Sequence, residues 1–379
     1  MIPGAGASSW PKMGAAERAA LLQILIHGAL SRADLAGRLG LSRGRLTRIT
    51  RDLIEKKLLA EGATEARSAM GRPSELLVLQ PASHHFLGVK LTGDVLYAVV
   101  TDLGAKIVAS TEVTLSSRSV TDVVGEIAGV ARRFMEEMPT LTAVGVSLAG
   151  HIRHERDGEV VDDSAYLGWD GVPLATLVAA ATGLPTTIEN DVQALTASEH
   201  WFGAGAGLDS MALVTIGVGL GIGLVINGQL VEGAHGRPGM LSHMIIDPAG
   251  PVCGSHRGCV SSFLPNDSIV AALEVPGLTY SGALALARAG DPAAVAVFER
   301  AANALGVLIA VIANLTDPRK VVLTGDGLGL YDVASEAVHS AVAASTDPDA
   351  APIDLDVQPF DFSEWARAAA VCAIRGMLR

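Results

Sequence analysis

The chain has 379 residues, of which 49% are hydrophobic, 18% charged and 4% aromatic, and this predicts a globular protein of two or three domains with aliphatic cores. Its three cysteines, Cys253, Cys259 and Cys372, exclude a disulfide framework and suit a reducing compartment. Residues 1–80 carry 12 Lys and Arg against 7 Asp and Glu, whereas the remainder carries 16 against 33, so a basic head suited to a polyanion precedes an acidic body that is not.

The first residues, MIPGAGASSWPKMG, lack the basic flank and apolar run of a secretory signal, and a cytoplasmic protein is expected. Residues 15–29 (AAERAALLQILIHGA) repeat apolar side chains at helical spacing. Ser31 is placed to cap a short second helix with Leu35 and Leu39 inward and Gly40 as its stop. Ser42 is placed to cap a third, in SRGRLTRITRDLIEKKLL (42–59), with Leu46, Ile49 and Leu53 on one apolar face. The opposite face offers Arg43, Arg45, Thr47, Arg48 and Arg51. A solvated helix face would show the same charges. Arginines gathered at the start of a helix that follows a short capped one fit better to a helix-turn-helix entering a DNA major groove.

The stretch LLAEGATEARSAMGRPSELLVLQP (58–81) then predicts a β-hairpin wing with Arg67 and Arg72 near its tip, and Pro81 ends the head. In this reading Arg43, Arg45, Thr47 and Arg48 face bases, while Arg51, Lys56 and Arg72 face phosphate or the minor groove. The domains expected are 1–80, a winged helix-turn-helix, and 81–379, the acidic body.

In the body, FLGVKLTGDVLYAVVTDLGAKIVAS (86–110) predicts three strands, followed by a helix at 120–137 and a buried strand in LTAVGVSLAG (141–150). Residues 211–230 predict a strand, a glycine-rich turn and another strand; 320–338 predict a strand, a glycine turn and a helix. This alternation indicates an α/β protein of two lobes around a cleft. GVGLGIG (217–223) can cradle phosphate through backbone N–H groups or merely close a hairpin, and the strand after it argues against a dinucleotide-binding turn. The longest apolar run, ALGVLIAVIANL (304–315), reads as buried helix too short to span a bilayer, so no membrane association is expected.

Three stretches in order, ENDVQALTASEHWFGAG (189–205), GVGLGIGLVINGQLVEGAHGRPGMLSHMIIDPAGPVCGSHRGC (217–259) and VVLTGDG (321–327), resemble the ROK family of sugar kinases and sugar-responsive repressors. The resemblance covers almost the whole chain. It implies a two-lobed, actin-like ATPase fold, to which the repressor branch adds an N-terminal winged helix-turn-helix. It further implies a homodimer or dimer of dimers on a pseudo-palindromic double-stranded DNA operator, with a carbohydrate-like small molecule as effector.

Where the family's kinases open the body with an Asp-x-Gly-Gly-Thr turn for phosphate and magnesium, this chain has VKLTGD (89–94). Lys90 stands for the carboxylate, Thr92 for the first glycine and Asp94 for the threonine. An ammonium cannot ligate Mg²⁺, which takes oxygen ligands, and Asp94 would repel phosphate. These changes point away from a kinase. The resemblance makes Asn190, Asp191, Met240, His243 and Ser261 the ligand-facing positions, with Asp191 matching the kinases' general base. Met240 and Ser261 replace two sugar-binding glutamates, so a standard hexose would leave hydroxyls poorly paired.

The same resemblance implies a structural zinc site. The family's Cys-x-Cys-Gly-x-x-Gly-Cys with an upstream histidine becomes here His243, Cys253 and Cys259, with the middle cysteine missing and the loop one residue shorter. Ser255 and His256 are the candidates for the missing place, and His243, Cys253, His256 and Cys259 would form a Cys₂His₂ tetrahedron suited to zinc. A metal-free loop with two thiols is the alternative. For the whole protein the alternatives to a sugar-sensing repressor are a sugar kinase and a ligand-independent DNA binder whose body only dimerises.

Overall fold

The computed structural model describes residues 10–65, 74–155 and 158–379; Arg67 and Arg72, expected at the wing tip, lie outside them. In chain order the head contains α1 (Ala15–His27), β1 (Leu30–Ser31), α2 (Arg32–Leu39), α3 (Arg43–Glu55), β2 (Leu59–Glu65) and β3 (Ser74–Leu79). There follow β4 (His85–Leu91), β5 (Val95–Asp102), β6 (Ile107–Thr114), α4 (Val120–Glu137), β7 (Leu141–Leu148), β8 (His151–Glu155), β9 (Gly158–Ser164), β10 (Trp169–Val172), α5 (Leu174–Thr182), β11 (Thr186–Asn190) and α6 (Asp191–Phe202). The rest comprises β12 (Met211–Ile216), β13 (Leu220–Ile226), β14 (Gln229–Leu230), α7 (Asn266–Ala271), α8 (Tyr280–Arg288), α9 (Pro292–Thr316), β15 (Val321–Thr324), α10 (Gly329–Ser345), β16 (Leu355–Val357) and α11 (Phe362–Leu378).

Contacts divide the chain into two units, Met1–Gly207 with Phe362–Arg379, and Leu208–Asp361. The boundary expected at residue 80 falls inside the first unit.

The head folds as its local signals direct. Ser31 Oγ accepts the Asp34 N–H at the start of α2, and Gly40 ends that helix with φ 62°, a left-handed conformation glycine adopts without a Cβ penalty. Ser42 Oγ caps α3, which ends at Glu55, and Lys57 at φ 58° turns the chain into the wing. The wing strands pair antiparallel with β1 on one edge, in the order β1-β3-β2. Leu21, Leu35, Leu46, Leu53, Leu58, Leu59 and Leu77 are fully buried in one core. That core continues without a break into Phe86, Ala143 and, on α11, Ala370, Val371 and Ile374. The head is therefore built onto the rest of the first unit.

Behind it stands a five-stranded sheet, ordered β11-β7-β4-β5-β6, with β11, β7 and β4 parallel and β5 and β6 antiparallel. Strand alternation divides its two faces. Leu87, Val89, Leu91, Val144, Val146 and Leu148 pack with Val123, Ile127 and Phe134 of α4 and Leu174 and Val178 of α5. The other face receives α11. A Cβ on Gly88 would fall 2.0 Å from the Ala366 carbonyl oxygen, and one on Gly145 would fall 1.8 Å from that of Ala369. Glycine at both positions lets the helix backbone lie directly on the sheet. A small antiparallel sheet, β10-β9-β8, completes the unit.

The second unit repeats the same strand logic as β14-β13-β12-β15-β16, an antiparallel meander extended by two parallel strands. Its core gathers around α9, capped by Asp291 with Pro292 in the first turn. The apolar run at 304–315 is the second half of this helix. By length and composition α9 could cross a membrane, yet 61% of its most apolar window is buried within the protein, as befits a core helix.

Gly145→Ala is expected to lower stability by about 3 kcal/mol or more, since overpacking against backbone has no side chain to give way. Urea denaturation of the variant beside the parent checks this.

Candidate functional site

On α3 the apolar residues Leu46, Ile49 and Leu53 anchor the helix, and Arg43, Arg45, Thr47, Arg48 and Arg51 all stand exposed on its outer side. The Thr47 hydroxyl donates to the Arg43 carbonyl at 2.9 Å, so it is turned back onto its own helix. Lys56 forms an ion pair with Glu17 of α1 and braces the head; a phosphate contact from Lys56 would have to break that pair. Arg32 ties α2 to the wing, pairing with Glu61 at 2.7 Å and Glu75 at 3.7 Å, and its Nε donates to Thr50 at 3.2 Å.

In the sheet, Lys90 is 4% exposed and Asp191 8% exposed, and the ammonium pairs with Asp191 Oδ2. Lys90 follows Gly88 on the face that α11 covers, and its Nζ lies 5.2 Å from the Trp365 ring centre. The second carboxylate oxygen of Asp191 accepts the Val192 N–H at 2.9 Å. Asn190 is the cap of α6: its Oδ1 accepts the N–H groups of Val192 and Gln193 at 3.0 and 3.2 Å, and its Nδ2 donates to the Gly150 carbonyl at 2.9 Å. Both residues of the Asn-Asp pair thus have internal partners. Beside them Glu189 is buried, and burial pushes its carboxyl up.

Thr92 closes the β4–β5 turn, accepting the Val95 N–H at 3.0 Å and donating to the Val95 carbonyl at 2.9 Å. Asp94 is exposed and pairs with Arg118 at 2.7 Å.

In the second unit the glycine turn closes a hairpin, with Ile216 opposite Leu220. A Cβ on Gly217 would fall 1.5 Å from Asp326 Oδ1, so that carboxyl group rests on the turn. Burial pushes the Asp326 carboxyl up. The turn holds a carboxyl group supplied by the chain itself, a feature the turn's own sequence does not disclose.

The loop at 243–259 brings three of the four expected metal ligands together. The ligand atoms of His243, Cys253 and Cys259 all lie within 4.8 Å of one another. Nδ1 of His243 stands 3.5 Å from Cys253 Sγ and 3.8 Å from Cys259 Sγ, and the sulfurs are 3.1 Å apart. Ligands at zinc–sulfur and zinc–nitrogen distances on a tetrahedron are separated by about 3.4–3.8 Å, so this donor set fits such an ion with small adjustments. His256 falls outside that group of three, although its ring centre is 4.6 Å from that of His243. The loop is fixed by bridges pairing Ile245 with Cys259 and Val252 with Arg257. Gly258 at φ 65° packs where a Cβ would meet the Asp247 carbonyl at 1.5 Å. A hydrogen bond from the Cys259 thiol, helped by the His256 backbone and both histidine rings, pulls the Cys253 thiol down to about 6. Burial pushes Cys259 up and takes Cys372 to about 12. Met240 is 62% exposed, and Ser261 donates its N–H to the Ser242 carbonyl at 2.8 Å.

The sequence model of the ROK family matches residues 86–358. The chain is 25% identical over 335 residues to the DNA-binding transcriptional repressor Mlc of Escherichia coli, covering 82% of each. It is 30% identical over 260 residues to a glucokinase of Thermotoga maritima, covering 63% of this chain and 81% of the enzyme. Among solved structures, a ROK family transcriptional regulator described as a homolog of the E. coli MLC protein superposes with a TM-score of 0.79 at 25% identity, over 96% of both chains.

Lys90→Met would leave Asp191 buried and unpaired, with an expected loss of about 3–5 kcal/mol, most of it recovered in Lys90→Met/Asp191→Leu; denaturant unfolding of the set is the check. With its thiol at about 6 in place of the ordinary 9.0, Cys253 is a thiolate above that pH. Alkylation of metal-free protein by iodoacetamide should therefore reach its plateau at Cys253 by about pH 7, while Cys372 stays unmodified.

Proposed function

The chain belongs to the ROK family, in its transcriptional-regulator branch, and we propose on that premise that it is a DNA-binding repressor whose body senses a carbohydrate-like small molecule without phosphorylating it. The observation that carries this reading is the buried ion pair of Lys90 and Asp191. Phosphorylating a sugar hydroxyl calls for a carboxylate within reach of that hydroxyl and oxygen ligands for Mg²⁺. Both oxygens of Asp191 are occupied, by Lys90 and by the Val192 N–H. A substrate hydroxyl at Asp191 would have to share that carboxylate with the ammonium. Lys90 itself brings positive charge but no metal-binding oxygen.

In this reading residues 1–80 serve as the winged helix-turn-helix and 81–379 as the sensing and dimerising body, in the cytoplasm. Two heads from a homodimer, or four from a dimer of dimers, bind a pseudo-palindromic operator. Arg43, Arg45, Thr47 and Arg48 meet base edges, and Arg51 and Arg72 meet phosphate; the exposure of the first four and of Arg51 on α3 supports this. Asp191, Met240, His243 and Ser261 face the effector, and Asn190 acts by fixing the start of α6 that carries Asp191. The effector changes DNA affinity only through different affinities for two states of the protein.

A structural zinc ion fits the loop, held by His243, Cys253 and Cys259 with His256 as fourth ligand. Such an ion would fix the loop. His243 turns Nδ1 to the sulfurs, which leaves Nε2 for the effector.

Arg45→Ala and Arg48→Ala should each weaken binding to the operator recovered by genomic footprinting by about 1–3 kcal/mol; unchanged affinity in both would remove α3 as the reading helix. Calorimetry across a sugar panel, with and without Mg·ATP, should give binding without phosphorylated product, and turnover would restore the kinase reading. Metal analysis should find one zinc per chain, with His256→Ala holding it about 10–100-fold more weakly.

A further inference from the structure

We propose that Cys253 and Cys259 form a peroxide-responsive dithiol whose oxidation and whose metal binding exclude each other. Three observations carry it. The two sulfurs stand 3.1 Å apart, so closing the S–S bond needs an approach of about 1 Å. Both cysteines sit in one short loop on a turn fixed at Gly258, with Cys253 half-exposed and Cys259 buried behind it. The third cysteine, Cys372, is buried in α11 of the other unit and serves as an internal reference for non-specific oxidation. The proposal stands on this sulfur geometry and does not depend on the chain being a repressor.

The chemistry is balanced by the oxidant alone. The Cys253 sulfur attacks one oxygen of hydrogen peroxide and the O–O bond breaks, which leaves a sulfenic acid and one water. The Cys259 sulfur then attacks the Cys253 sulfur, the S–O bond breaks, and the second oxygen leaves as water with the remaining thiol proton. Two thiols and one peroxide become one disulfide and two waters, two electrons passing from sulfur to oxygen. A disulfide offers no thiolate to a metal. Oxidation therefore deletes two of the three ligands gathered in this loop, and a bound metal shields both sulfurs from the oxidant.

The test uses the full chain, once stripped with a chelator and once loaded with zinc, each exposed to hydrogen peroxide and read by intact mass and peptide mapping. The stripped chain should lose two hydrogens through a single Cys253–Cys259 bond within one chain, while Cys372 stays reduced. The zinc-loaded chain should react at least about tenfold more slowly. The oxidised chain should take up no zinc at this loop until a dithiol reductant is added. Sulfinic acid at Cys253 with Cys259 still a thiol, disulfides only between chains, or equal zinc uptake before and after oxidation would each overturn the proposal. In Cys259→Ser, whose fold is verified by circular dichroism, Cys253 should pass to sulfenic and sulfinic acid. Because the unsubstituted chain carries the main readout, a poorly folded variant does not obscure the result.

Discussion

The backbone of α11 lies directly on the first unit's sheet, and much else in that unit follows from this contact. It is possible because Gly88 and Gly145 place no Cβ between helix and strands. Lys90 comes two residues after Gly88, on the same covered face, so its ammonium is taken out of water beneath Trp365. A buried ammonium without a counter-charge costs several kcal/mol, and Asp191 at the start of α6 meets that need. A single close packing thus turns an isolated lysine and an isolated aspartate into one unit.

The same helix ties the sheet to the DNA-binding head within that unit. Ala370, Val371 and Ile374 of α11 share a core with Leu21, Ile24 and Leu35 of the head, and Trp201 and Phe202 at the end of α6 pack against it. Arg375 of α11 lies 5.6 Å from the Trp201 ring centre. The helix that begins at Asp191 therefore ends, about 18 Å further on, among the residues that hold α1.

Internal partners recur at positions that resemble a kinase's ligand contacts. Lys90 holds the Asp191 carboxylate, and Asp326 rests on the glycine turn at Gly217. Asn190 gives its whole side chain to capping α6 and to Gly150. In physical terms the chain satisfies these groups with its own side chains. The histidine–cysteine loop differs, because its donors face one another and fit a metal.

Much of the fold is legible locally. Caps at Ser31 and Ser42, the stop at Gly40 and the spacing of Leu46, Ile49 and Leu53 act within a few residues, so the helix-turn-helix and its exposed arginines can be read along the chain. The strands at 86–114 and the hairpin at 211–226 follow from alternation and glycine turns. The small β8–β10 sheet escapes such a reading, since its strands are short and half-exposed, with charged residues among the apolar ones. His243, Cys253 and Cys259 can be grouped from their spacing and family resemblance, whereas the position of His256 just beyond the group depends on how the shortened loop folds.

The sequence by itself determined the α/β class, the basic head with its helix-turn-helix, the family and the three metal-type side chains, because each rests on short-range pattern or on motif. Only the tertiary structure decided that Lys90 answers Asp191 across 101 residues of chain, that Asp326 closes the Gly217 turn, and that the head shares its core with α11. Those pairings arise from strand register and helix packing between distant segments, and a buried charge in one strand carries no local sign of which distant residue will neutralise it.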